Sequence, residues 1–180
     1  MSYNTDLEVL MDLKKYIRDI PDFPQPGILF KDITPLLQNP DAFKRVIDNF
    51  RKYYSERSVD AIVAIEARGF LFGAALAYIL RKPLIPVRKR GKLPFMTHVV
   101  TYSLEYGSDA VEIHKDGIGL GQRVVIVDDV LATGGTVAAT SRLVKTAGGV
   151  VDSLAVVIEL MSLMGRTQLD GTEIYSIVQY

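Results

Sequence analysis

The sequence predicts an α/β fold with a mostly parallel central sheet flanked by helices, and three observations carry the prediction. Short apolar runs rich in β-branched residues alternate with segments whose apolar residues recur at helical spacing. Those short runs lack the in–out alternation of a strand with one wet face, so they belong in a sheet covered on both sides, the habit of parallel strands. A single strand–turn–strand insertion interrupts the alternation.

Taken in order, Thr5-Asp6-Leu7-Glu8 has a capping-box pattern, and Leu7, Leu10, Met11 and Ile17 share one face of the helix it would start; Pro21 should stop it. Asp22-Phe23-Pro24-Gln25-Pro26-Gly27 is proline-rich and extended, and it leads into Ile28-Leu29-Phe30-Lys31-Asp32. Asn39-Pro40 combines an N-cap with proline at the first helical position, and Phe43, Val46, Ile47, Phe50 and Tyr54 follow at core spacing. Ala61 to Ile65 is a strand, followed by a turn and a helix over Phe70 to Leu80. Leu84 to Val87 and Val124 to Val127 are further strands. The second runs through glycines into a helix with apolar Val137, Leu143 and Val144, closed by Gly148-Gly149. Leu154 to Ile158 and Ile174 to Val178 complete the set. The insertion, His98 to Tyr106 and Ala110 to His114 joined at Gly107-Ser108-Asp109, reads as a hairpin, and the basic segment Arg88 to Lys92 precedes it.

Composition narrows the function. The 180 residues, 48% of them hydrophobic, suffice for one substantial core, and the whole chain, 1–180, is expected to be a single domain. Lysine plus arginine (21) equals aspartate plus glutamate (21), without the basic excess of a nucleic-acid binder. With no cysteine, disulfides, thiolate metal sites and a cysteine nucleophile are excluded. Met1 to Lys15 is amphipathic and unlike a signal peptide. Phe70 to Leu80, broken by Gly73 and ended by Arg81, falls short of the roughly 20 apolar residues of a membrane span. A cytoplasmic location without membrane partners is expected.

The informative stretch is Val124 to Thr136. A buried strand ends in Asp128 and Asp129, and small and hydroxylated residues then lead into a helix. In open α/β sheets ligands bind at the carboxyl edge of the strands. Two carboxylates there can accept from the vicinal hydroxyls of a ribose. Gly134 and Gly135 let backbone N–H groups converge on an anion at a helix amino terminus, and Thr133 and Thr136 can add hydroxyl donors. The stretch therefore predicts a site for a phosphorylated ribose. Other phosphate loops are absent: there is no G-x-x-x-x-G-K-[ST], and Gly117, Gly119 and Gly121 precede a strand rather than follow one, which marks a turn.

This loop resembles the 5-phosphoribosyl 1-pyrophosphate (PRPP) signature of the type I phosphoribosyltransferase family. The segments Phe23 to Pro35, Glu66-Ala67-Arg68-Gly69-Phe70, Arg88 to Pro94 and Ser103-Leu104-Glu105-Tyr106-Gly107 narrow the resemblance to the family's adenine-using branch. It spans nearly the whole chain in order. After Lys92-Leu93-Pro94 relatives commonly continue with glycine, where this chain has Phe95-Met96.

The resemblance implies the family fold, with a small amino-terminal hood (1–38) and a flexible hairpin lid (88–115). It implies transfer of phosphoribose from PRPP to adenine, giving AMP and pyrophosphate in purine salvage by a homodimer. Mg²⁺ would be carried by PRPP and pyrophosphate rather than by direct protein ligands. By the same analogy Asp128 and Asp129 hold the ribose hydroxyls, and Ala132, Thr133, Gly134, Gly135 and Thr136 hold the 5-phosphate. Arg68 faces the pyrophosphate, with Arg88, Lys89 and Lys92 as further contacts, some across a dimer interface. Leu29, Phe30 and Lys31 read the adenine edge, largely through backbone groups. Phe30 and Leu160 sandwich the ring, and Glu105 acts as general acid–base near N7 beside Tyr106. A transferase for a 6-oxopurine or orotate, or a non-catalytic PRPP-sensing regulator, are the alternatives.

Overall fold

The computed structural model describes residues 11–103, 108–169 and 171–180. The chain divides into two units between Asp48 and Asn49.

In the first unit a short 3₁₀ turn, Leu13–Tyr16, leads to strand β1 (Arg18–Pro21), which pairs antiparallel with β2 (Leu29–Asp32). The helix expected to run through Ile17 is therefore absent among the described residues, and Pro21 ends a strand rather than a helix. Its first part, residues 1–10, lies outside the described residues. Asp32 Oδ1 accepts the Thr34 N–H (2.9 Å) and hydroxyl (2.6 Å), starting helix α1 (Thr34–Gln38). Asn39 caps helix α2 (Pro40–Tyr54) as its sequence predicts, its side-chain oxygen accepting the Ala42 N–H at 2.9 Å.

The second unit is built on a seven-stranded sheet in the order β5-β6-β4-β3-β7-β8-β9. Strands β3 (Ala61–Ile65), β4 (Leu84–Lys89), β7 (Arg123–Leu131), β8 (Val150–Glu159) and β9 (Glu173–Gln179) are mutually parallel. The hairpin β5 (Thr97–Ser103) and β6 (Ser108–His114) extends the sheet antiparallel, through Arg88↔Glu112 and Lys89↔Val111. Tyr102, Val111 and Ile113 are buried in the main core, so the stem of the hairpin is part of the sheet.

Alternate residues of a strand face opposite sides, and both sides here are covered. Val63, Ile126, Leu154 and Val156 share one cluster with Val137, Leu143 and Val144 of helix α4 (Gly135–Thr146). On the other face helix α3 (Gly69–Leu80) lies so close that a Cβ on Gly73 would fall 2.5 Å from the Ala64 Cβ.

Candidate active site

Because β3, β7 and β8 are parallel, their carboxyl ends open on one edge of the sheet. The turn after β3, the loop after β7, the end of β4 and the hairpin together line a cavity of about 440 Å³ at that edge.

Strand β7 delivers two carboxylates to this cavity. It does not stop at Val127, since Val130 and Leu131 still pair with Ile158 and Glu159 of β8. Asp129 is only 3% exposed, and its Oδ2 lies 2.9 Å from Arg68 Nε. Asp128 faces the cavity, its Oδ1 accepting the Asp129 N–H at 2.9 Å. Burial pushes both carboxyls above the ordinary range; the neighbouring Asp129 charge adds to the effect on Asp128, whereas Arg68 opposes it at Asp129. A carboxylate pair in this setting has unmet demand for hydrogen-bond donors, which a vicinal diol supplies.

Arg68 reaches Asp129 because α3 begins hard against the strand end. A Cβ on Gly69 would lie 2.7 Å from the Val127 carbonyl oxygen and 3.0 Å from Asp128 Oδ1. The turn containing Arg68 includes a cis Glu66–Ala67 peptide. After β7, Ala132, Thr133, Gly134, Gly135 and Thr136 all line the cavity. Gly134 caps α4 with φ +86°, a conformation closed to most side chains. The first-turn N–H groups of a helix lack intrahelical acceptors and sit at its positive end, so this loop can receive an anion. Thr136 Oγ1 donates to the Tyr102 hydroxyl at 3.1 Å.

Arg88 and Lys89 are matched to acids in this structure. Glu66 accepts from Arg88 Nη2 (2.9 Å), Arg88 Nε (3.3 Å) and the Lys89 N–H (3.1 Å). The Arg88 guanidinium holds the Glu66 carboxyl below the usual carboxylate range. Lys89 Nζ lies 3.1 Å from Asp109 Oδ2. Arg88 and Lys89 line the cavity, whereas exposed Lys92 is not among its lining residues. The Lys92 backbone accepts from Arg88 Nη1 (2.9 Å) and donates to Glu112 Oε1 (2.8 Å). Buried Glu112 also accepts from the Leu93 N–H (2.8 Å) and the Thr97 hydroxyl (3.2 Å). Burial pushes its carboxyl up, but these donors outweigh burial and leave it below the usual range.

Glu66, Tyr102 and Asp109 line the cavity without having been singled out from sequence. Glu66 carries a weak signal, a carboxylate directly after a buried strand. Tyr102 and Asp109 meet only through the hairpin register, where they are direct partners. Glu105 and Tyr106 lie outside the described residues. Leu160 follows β8, half-buried, with its N–H donating to the Leu131 carbonyl at 2.9 Å. Leu29, Phe30 and Lys31 are on β2 of the first unit. There Phe30 meets Phe23 edge-on at 5.1 Å and Lys31 Nζ lies 2.6 Å from Asp19.

Residues 32–169 match the family model described as a phosphoribosyl transferase domain. An adenine phosphoribosyltransferase of Solibacter usitatus is 54% identical over 169 residues, covering 94% of this chain and 98% of the relative. The crystal structure of adenine phosphoribosyltransferase from Thermoanaerobacter pseudethanolicus superimposes with a TM-score of 0.91 at 54% identity, covering 93% of this chain and 98% of that one. The Saccharomyces cerevisiae adenine phosphoribosyltransferase, complexed with an imino-altritol bisphosphate and adenine, gives 0.86 at 41% identity, covering 92% and 96%.

Proposed function

The chain belongs to the phosphoribosyltransferase family, and from that membership we propose how its residues divide the work of one reaction. It transfers the phosphoribosyl group of PRPP to adenine, yielding AMP and pyrophosphate in purine salvage. Relatives at 54–55% identity carry the adenine name, which disfavours a 6-oxopurine, orotate or purely regulatory role.

The observation that carries the division of labour is the joint lining of one cavity by Asp128, Asp129, Arg68 and the 132–136 loop. Asp128 and Asp129 accept from the ribose 2- and 3-hydroxyls. The 132–136 loop receives the 5-phosphate through backbone N–H groups and the Thr133 and Thr136 hydroxyls. Arg68, freed in part from Asp129, turns its fork to the departing pyrophosphate, with Arg88, Lys89 and Lys92 supplying further positive charge. Leu29, Phe30 and Lys31 read the adenine edge and Leu160 packs on its face. A backbone N–H donating to N1 and a carbonyl accepting from the amine would both be left unpaired by hypoxanthine. Glu105 exchanges a proton at N7 and Tyr106 supports it. The inserted hairpin, 88–115, serves as a lid that keeps water from the activated sugar.

Mg²⁺ fits this donor set. No cluster of three or more His, Asp or Glu side chains among the described residues could hold a metal ion, so Mg²⁺ would arrive carried by PRPP and pyrophosphate, with the Asp128 and Asp129 oxygens lining the same cavity. Asp128 and Asp129 would face the ion through the ribose hydroxyls; bound there, it neutralises charge on the leaving pyrophosphate.

A homodimer is supported by the face of α3, where Leu71, Tyr78 and Ile79 are exposed together with Leu84 of β4. No helix among the described residues is long and apolar enough to cross a membrane. PRPP is polyanionic and does not cross a membrane unaided, so we place the reaction in the cytoplasm.

Calorimetric titration tests the base assignment without turnover. AMP should bind, and IMP should bind at least about tenfold more weakly, since its ring edge leaves buried polar groups unpaired. Equal affinities would refute the adenine reading.

A further inference from the structure

The loop assigned to the 5-phosphate is braced from behind. After β8 the chain forms the short 3₁₀ turn Gly165–Gln168, and Gly165 is buried against the loop. A Cβ on Gly165 would fall 2.2 Å from the Ala132 carbonyl oxygen, and one on Gly134 would fall 2.5 Å from the Gly165 carbonyl oxygen. Two backbones therefore touch with no side chain between them.

The turn is itself tethered. Arg166 binds the Glu159 carboxylate through Nε and through Nη2, the latter at 2.7 Å. Glu159 is 2% exposed and is the last residue of β8. It also accepts from the Ser176 hydroxyl (2.7 Å) and the Gln179 amide (3.4 Å) of β9. A two-bond guanidinium–carboxylate pair fixes orientation as well as distance. Sheet cohesion alone does not call for a buried charge here, because apolar residues of similar volume serve as well or better. The loop it serves is made of small residues and glycines, which do little to hold their own conformation.

We propose that Glu159 and Arg166 are positioning residues for the sugar phosphate. They press the Gly165 backbone against Ala132 and Gly134, and so set the loop geometry that receives the 5-phosphate. This rests on the reading of 132–136 as the phosphate cradle. Neither side chain touches substrate; the effect passes through the Gly165 backbone.

The test uses Arg166→Lys, which keeps the charge but loses the fork, and Gly165→Ala, which forces the contact apart. AMP and Mg²⁺-pyrophosphate affinities are measured separately by calorimetry, alongside KM for PRPP. Gly165→Ala should weaken AMP about tenfold or more, the scale of a small misplacement at a site. Arg166→Lys should weaken it several-fold, with KM for PRPP rising in step. Pyrophosphate affinity should stay within about twofold, because Arg68 and the basic segment do not lean on this turn. If Gly165→Ala fails to fold, Arg166→Lys decides alone. Wild-type AMP affinity in the variants, with only a lowered melting temperature, would reduce the pair to scaffold and overturn the proposal. Parallel loss of AMP and pyrophosphate affinity would overturn it as well. Thr133→Val separates this inference from its premise: unaltered AMP affinity there overturns the cradle itself. Weakened AMP affinity in Thr133→Val, with normal affinity in the brace variants, overturns the brace alone.

Discussion

At the scale of single residues, the site works against the stability of the protein that carries it. Asp128 and Asp129 are adjacent and crowded by protein, with Arg68 beside Asp129. Without added substrate, Asp128→Asn should raise stability by about 1 kcal/mol, because it removes a half-buried charge crowded by the Asp129 carboxylate. The same change should weaken PRPP binding by at least about tenfold, since the amide loses acceptor capacity for the diol. Thermal unfolding and calorimetry check the two halves, and a variant that is destabilised and still binds PRPP would contradict both. The pH dependence has a definite sign. A carboxyl whose folded pKa is raised binds more protons folded than unfolded, so its contribution makes stability fall as pH climbs from the ordinary carboxylate range to the raised value. Asp128→Asn should flatten that fall. Glu105→Gln should lower kcat far more than PRPP affinity, because it removes proton transfer and little else; equal losses in both would dismiss Glu105 as the acid–base.

At the scale of elements, the two edges of the sheet have separate tasks. The carboxyl edge holds the cavity. At the amino edge Asp152, 3% exposed in its side chain, is paired with Arg57 at 3.2 Å and with Arg123, and accepts from the Ser153 hydroxyl at 2.9 Å. Arg57 continues to Glu173 at 2.6 Å, which joins the end of α2 to β8 and β9. Asp152→Ala should cost about 2–3 kcal/mol by denaturant unfolding, less than a fully buried pair because Arg57 and Arg123 keep contact with water. Its kcat and KM should be unchanged below the unfolding range; a change in KM would mean that the two edges are coupled. Most of these elements are legible in sequence, since β3, α3, β4 and α4 follow from unbroken apolar runs and helical spacing. The exceptions have physical reasons. Strand β7 outruns Val127 because aspartates are poor strand formers whose extended state is set here by pairing with β8. Strand β1 exists through its pairing with β2, a contact that local periodicity at Leu13 to Ile17 does not report.

At the scale of the whole molecule, the candidate site was legible where it is contiguous and hidden where it is assembled. Asp128 to Thr136 lies on one strand–loop–helix, so its candidate role as a ribose-phosphate site can be proposed from sequence alone. Glu66, Tyr102, Asp109 and the Glu159–Arg166 brace come from separate elements and depend on strand order. The exposed Leu71, Tyr78 and Ile79 face of α3 belongs to the same scale. Tyr78→Glu should shift a homodimer toward monomer in analytical ultracentrifugation, and an unmoved dimer would place the interface elsewhere. The most direct measurement remains turnover with a choice of bases. The protein is incubated with PRPP, Mg²⁺ and, separately, adenine, hypoxanthine, guanine, xanthine or orotate, and any nucleotide is identified by mass spectrometry. AMP from adenine, with pyrophosphate in equal amount and no nucleotide from the other bases, is the predicted result. A nucleotide from another base in place of AMP, or no product from any base, would contradict it.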